Sequence, residues 1–188
     1  THAMIDIETL ATKPNAVVLT VGGVKFNPYS TEDPHTPFSV RLDIDEQTAK
    51  GRVIDPNTIE WWGKQDKAIQ DEAFSDEDRV SVMDFIADLN KWLNGTELKW
   101  AQGSRFDYGI LEDLIENSFE QHKNWFFWQE ADSRTLGQLV PKDLRKDDSG
   151  NQKDLHSALA DAYNQAKAVQ KAYKHLNITE TRFQFEDK

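Results

Sequence analysis

The sequence predicts an α/β domain: a mixed sheet with helices packed against it. Three observations carry this. Three strand-like apolar stretches open the chain in succession, with turn residues between them. Later stretches switch to the helical spacing of apolar residues. Between two of those helical stretches, ELKWAQG at 97–103 reads as one more short, buried strand.

The first strand covers 4–10 and carries Asp6 and Glu8 inside the run MIDIETLA. Side chains two apart on a strand share a face, so both acids point one way while Ile5 and Ile7 pack on the other. Residues 16–26, AVVLTVGGVKF, form the second strand, with Gly22-Gly23 as a bulge or bend. A Pro- and Asp-rich turn, NPYSTEDPHTP, leads to PFSVRLDID at 37–45. There Phe38, Val40, Leu42 and Ile44 alternate with polar residues, as in a strand with one wet face. These three strands form an antiparallel meander at the start of the sheet.

Helices follow. In FSDEDRVSVMDFIADLNKWLNG, Ser75 is the expected N-cap, with acids in the first turn. Val82, Ile86, Leu89 and Leu93 then face inward, and Asn94-Gly95 is the stop signal. DYGILEDLIENSF is a second helix, burying Ile110, Leu111, Leu114 and Ile115. A third spans 157–176, with Leu159, Tyr163, Ala166, Val169, Tyr173 and Leu176 on one face. The polar tract at 141–154 is a loop, and NITETRFQFEDK is a frayed end or an edge strand.

The chain has 188 residues, which suits one domain. Thr1-His2-Ala3 precedes Met4 and reads as the remnant of a tag, so 4–188 is taken as the domain. The absence of cysteine fits a reducing cytoplasm, and no apolar run approaches membrane-spanning length. The net charge of −11 argues against broad electrostatic grip on a phosphate backbone. It leaves room for an enzyme of nucleic acids, because acids that bind divalent cations present positive charge locally.

Two carboxylates side by side on a strand repel unless something pairs them, and hard divalent cations want such oxygen ligands. Alone the pair says little, since the chain has 33 acids and DID at 43–45 repeats the pattern. Two further stretches add weight. In WAQGSRFDYGIL a short strand runs through Gly103 and Ser104 to Asp107, which opens a helix. In LHSALADA, His156 and Asp161 stand about 140° apart around a helix. The pair makes sense with His156 on the preceding loop and Asp161 pointing inward from the first turns.

DIETL, GSRFDYGIL and HSALADA, in this order, resemble the motifs of the DEDDh 3′→5′ exonucleases, whose members carry four acids and a histidine. The segment NTIEWWGKQ at 57–65 resembles the phage exonuclease A group and the Rv2179c-like 3′-5′ exoribonucleases. ADSRTL at 131–136 also sits where such enzymes carry an Asp- and Arg-containing segment.

The resemblance implies a ribonuclease H-like fold, three antiparallel strands and then parallel ones. It implies that Asp6, Glu8, Asp107 and Asp161 bind two divalent cations, Mg²⁺ or Mn²⁺, with Asp6 bridging and His156 as general base. The implied reaction is two-metal hydrolysis from the 3′ end of single-stranded DNA or RNA, releasing nucleoside 5′-monophosphates. Thr9 and Leu10 are expected at the terminal nucleotide, with Trp61 and Trp62 as stacking faces. Glu60 is a candidate for a sugar hydroxyl, Arg105 and Arg134 for phosphate, and Asp132 for a supporting role. Aromatic content is compatible with a homodimer, though the periodicity does not demand one. A non-catalytic binding module on the same fold, and a phosphodiesterase of oligoribonucleotides or dinucleotides, are the competing expectations.

Overall fold

Alternating apolar residues carry β1 (His2–Thr9), β2 (Val18–Phe26) and β3 (His35–Leu42) into the antiparallel meander. The computed structural model describes residues 1–144 and 157–180. Three short strands extend the sheet in parallel: β4 (Arg79–Val80) beside β3, β5 (Lys99–Ala101) beside β1, and β6 (Glu130–Asp132) beside β5. The resulting order is β4-β3-β2-β1-β5-β6. This is the mixed, ribonuclease H-like sheet that the sequence implies.

Seven α-helices are present among the described residues: α1 (Ile44–Ala49), α2 (Pro56–Gly63), α3 (Lys67–Phe74), α4 (Val82–Leu93), α5 (Ser104–Glu112), α6 (Ser133–Gln138) and α7 (Ala158–His175). The two faces of β1 divide the core. Ala3, Ile5 and Ile7 pack with Phe85, Leu89 and Leu93 of α4 and Tyr108 and Leu111 of α5. Met4 faces the other way, where it joins Trp100 and the α7 residues Ala162, Ala166, Val169 and Tyr173. A third cluster places Leu10, Val17 and Leu19 under Trp62 of α2 and Ala73 of α3. Each such large apolar side chain contributes on the order of 1.5–3 kcal/mol by leaving water.

Helix α7 lies against β2 because Gly22 has no side chain. A Cβ there would fall 2.2 Å from the Ala158 carbonyl carbon and from the Leu159 nitrogen. Gly22 is the register partner of Asp6, so the start of α7 comes down beside the acids of β1. The expected bulge is present too, as a register shift between Gly23 and Lys25 against β3.

The structure corrects several boundaries. His2 and Ala3 are not outside the fold: both belong to β1 and are fully buried, and the Trp100 indole donates to His2 Nδ1 at 2.9 Å. The third strand ends at Leu42, since Asp43 caps α1 by accepting the Glu46 N–H at 2.8 Å. DID at 43–45 therefore opens a helix. Ser75 terminates α3, and the N-cap of α4 is Ser81, whose hydroxyl accepts the Asp84 N–H at 3.1 Å. The second predicted helix is α5 continued by a π-helical turn over Asp113–Ser118. The face of α7 against the sheet is richer in alanine than expected: Ala158, Ala162 and Ala172 join Ala166, while Leu159 and Tyr163 are only partly buried. No described helix is long and apolar enough to cross a membrane.

Candidate active site

Three chain segments meet at the end of β1. Asp6 and Glu8 project from the strand toward α7, and Asp161 descends from the first turn of that helix. One carboxylate oxygen from each of Asp6, Glu8 and Asp161 lies within 4.8 Å of the others. One helical turn beyond Asp161, the Gln165 amide donates to Asp6 Oδ1 at 2.9 Å. Asp107 arrives from α5 and is buried, and its Oδ1 accepts the Ile7 N–H at 3.1 Å. That bond ties the second motif to the strand of the first. Three of the four predicted acids thus share one cluster, and Asp107 adjoins it, tied to the β1 backbone through the Ile7 N–H. His156 lies outside the described residues.

Beside Glu8 opens a cleft of about 550 Å³, lined by Thr9, Thr12, Asn57, Thr58, Trp61 and Phe106 among others. Helix α2 forms one wall because it is pinned to the end of β1. The Asp55 N–H donates to the Leu10 carbonyl at 2.8 Å, and the Trp62 indole donates to the Thr9 carbonyl at 3.0 Å. Neighbouring helix residues point about 100° apart, so the two tryptophans part company. Trp62 is 2% exposed and belongs to the core, whereas Trp61 is 42% exposed at the cleft. Their rings meet edge to face at 5.0 Å. Phe106, absent from the sequence expectations, is 36% exposed and lines the same cleft.

Leu10, expected with Thr9 at the terminal nucleotide, does not line the cleft. It is buried with Val17 and Leu19, and its N–H already donates to the Val17 carbonyl at 2.9 Å. Thr9 does line the cleft, with its hydroxyl turned to the Ala11 carbonyl at 2.6 Å. Glu60 stands on the exposed side of α2, paired with Lys64 at 2.9 Å, and does not line the cleft. Arg105 is exposed in the first turn of α5. Arg134 is exposed, and its guanidinium donates to the Gln102 carbonyl at 3.1 Å.

Residues 1–173 match the family described as the 3′-5′ exoribonuclease Rv2179c-like domain. The chain belongs to this family. It is also similar to the exodeoxyribonuclease of Enterobacteria phage T4, 32% identical over 156 residues, covering 70% of this chain and 68% of the phage protein. A solved structure titled exonuclease X in complex with 5′ overhanging duplex DNA shares the fold, with a TM-score of 0.59 at 15% identity. That likeness covers 94% of this chain and 93% of the other. This member of the Rv2179c-like family is a 3′-5′ exonuclease of the DEDDh type.

The electrostatics of the acid cluster follow from burial and mutual repulsion. Burial raises the pKa of Asp6 well above its ordinary value, and the neighbouring carboxylates of Asp107, Glu8 and Asp161 push it further. Glu8 is driven up to about 8, first by burial and then by Asp161 and Asp107. Asp107 rises to about 7 through burial, opposed by the Ile7 N–H and the field of Arg134. Every donor is a hard carboxylate oxygen, the ligand type that Mg²⁺ and Mn²⁺ prefer. Cations between these acids would stabilise their charged forms, so the residues present fit a divalent metal site.

Proposed function

We propose that this exonuclease hydrolyses single-stranded DNA or RNA from the 3′ end, releasing nucleoside 5′-monophosphates with the help of two Mg²⁺ or Mn²⁺ ions. The observation that carries the reading is the convergence of Asp6, Glu8 and Asp161 within 4.8 Å, next to an aromatic-walled cleft. These three acids and Asp107 are assigned as the ligands. When bound, the cations offset the charge that develops on the attacking and leaving oxygens of an in-line displacement.

The chain's own groups supply the rest. Gln165 holds one oxygen of Asp6 and so fixes its rotamer. Trp61 and Phe106 offer flat faces to the terminal base, an interaction worth about 1–3 kcal/mol per base. Such stacking needs an unpaired base, and a net charge of −11 gives no general grip on duplex. His156 is assigned the proton of the attacking water, the general-base role that imidazole most often takes. The family description names an exoribonuclease and the phage relative an exodeoxyribonuclease, so both sugars remain in the reading.

End-labelled single-stranded DNA and RNA of matched sequence test it, each with Mg²⁺, with Mn²⁺ and with EDTA. The expected result is a ladder shortening from the 3′ end with release of nucleoside 5′-monophosphates, abolished by EDTA. Internal fragments, or cleavage in EDTA, would overturn the mechanism. Cleavage confined to a dinucleotide offered alongside would establish the phosphodiesterase alternative instead.

A further inference from the structure

We infer that the segment Asp132-Ser133-Arg134 is a clasp that positions Asp107, with Asp132 as its principal positioning residue. The inference rests on the reading of Asp107 as a cation ligand. The clasp begins where β6 pairs with β5, Asp132 opposite Ala101. Three consecutive side chains then hold four consecutive residues of the neighbouring turn. Ser133 Oγ donates to the Ala101 carbonyl at 3.3 Å, and the Arg134 guanidinium donates to the Gln102 carbonyl at 3.1 Å. The Asp132 carboxylate accepts the N–H groups of Gly103 and Ser104, both at 3.2 Å. The same carboxylate accepts from Arg134 N–H at 2.8 Å and Thr135 N–H at 3.3 Å, opening α6. One side chain thereby fixes two strand-to-helix turns at once.

Helix α5 depends on this help because of its own sequence. The first N–H groups of a helix have no partner within it and normally bond to a local cap. Here the N-cap is Gly103, which has no side chain and sits at φ 103°, in the left-handed region. Asp132 supplies the acceptor from another strand. Asp107 is four residues beyond that cap, so its direction follows from where α5 starts. A one-residue slip of the start would swing Asp107 by about 100° and remove its carboxylate from the Ile7 N–H. Phe106, on the cleft wall, would move with it.

The test compares Asp132→Asn, which keeps the side-chain size but loses the charge and one acceptor, with wild type, Asp107→Asn and Ser81→Ala. Ser81 caps α4, a helix that carries none of the acids. Mn²⁺ affinity is measured by titration calorimetry on the full chain below its melting temperature, with kcat and KM on a labelled oligonucleotide. Asp132→Asn is expected to weaken Mn²⁺ binding by about 10- to 100-fold and to lower kcat more than it raises KM. Ser81→Ala lowers the melting temperature but keeps wild-type Mn²⁺ affinity. Asp132→Ala should show the same pattern as Asp132→Asn, more strongly; where it does not fold, Asp132→Asn decides alone. Wild-type Mn²⁺ affinity in Asp132→Asn, with that affinity lost in Asp107→Asn, overturns the clasp alone. Unchanged Mn²⁺ binding in Asp107→Asn overturns the ligand reading and the clasp with it.

Discussion

One face of β1 holds two opposite environments. Toward its start, Met4 is fully buried among Val24, Phe26, Trp100 and Tyr173. Two and four residues later, Asp6 and Glu8 look toward the same helix, α7, and their ionisation is strongly opposed by burial and by each other. The strand geometry and the covering helix are shared, so side-chain chemistry alone makes the difference. The Met4 end contributes stability, whereas the acid end gives some of it up to hold carboxylates whose charges repel.

The largest effect expected from breaking that contrast is loss of activity. Asp6→Asn or Glu8→Gln should reduce cleavage to the level seen with EDTA, yet raise the melting temperature of the metal-free protein, because a buried repulsion is gone. A variant that is inactive and also less stable would show that these acids are structural. His156→Ala should fold normally and lose about 10²- to 10⁴-fold in kcat, as for removal of a general base. Near-wild-type turnover would remove the imidazole from the chemistry.

Next in size is the joint that brings the helix to the acids. Gly22→Ala drives a methyl group into the backbone of Ala158 and Leu159. It should cost about 1–3 kcal/mol or more in denaturant unfolding and weaken Mn²⁺ binding in parallel, since Asp161 moves with α7. The two tryptophans sharpen the contrast further. Trp62→Ala should lower stability by about 3–5 kcal/mol, while Trp61→Ala should leave stability near wild type. Trp61→Ala should instead raise KM about 5- to 150-fold, the equivalent of losing one stacked base.

A last effect is in pH. Glu8 and Asp107 bind protons more tightly in the folded chain than in the unfolded one, with folded values of about 8 and about 7 against ordinary values of 4.5 and 3.8. The stability that these two groups contribute to the metal-free protein is therefore fully present below those ordinary values. That contribution is lost as pH rises through the folded values. Melting curves in EDTA should fall between about pH 5 and about pH 9, and saturating Mg²⁺ should flatten that fall.

Much of this contrast is legible in the sequence. Alternation of period two exposes β1 to β3, and it places Asp6 and Glu8 opposite Ile5 and Ile7 without any coordinates. The inward row of α4 is equally plain, because Val82, Ile86, Leu89 and Leu93 keep helical spacing over three turns and are all buried. The short helices α1 to α3 leave too few turns for a period to register, and β6 is only three residues long. Trp61 and Trp62 are chemically identical neighbours, so only the orientation of α2 tells the cleft wall from the core residue. ADSRTL points to Asp132 in a supporting role, but not to its partners, which include backbone N–H groups about 30 residues away that no motif spells out.

The bond between Asp6 and Gln165 joins positions 159 residues apart. During synthesis, the opening strand and its meander leave the ribosome long before the helix that completes the metal cage. The cluster of Asp6, Glu8 and Asp161 is complete only once α7 seats on Gly22.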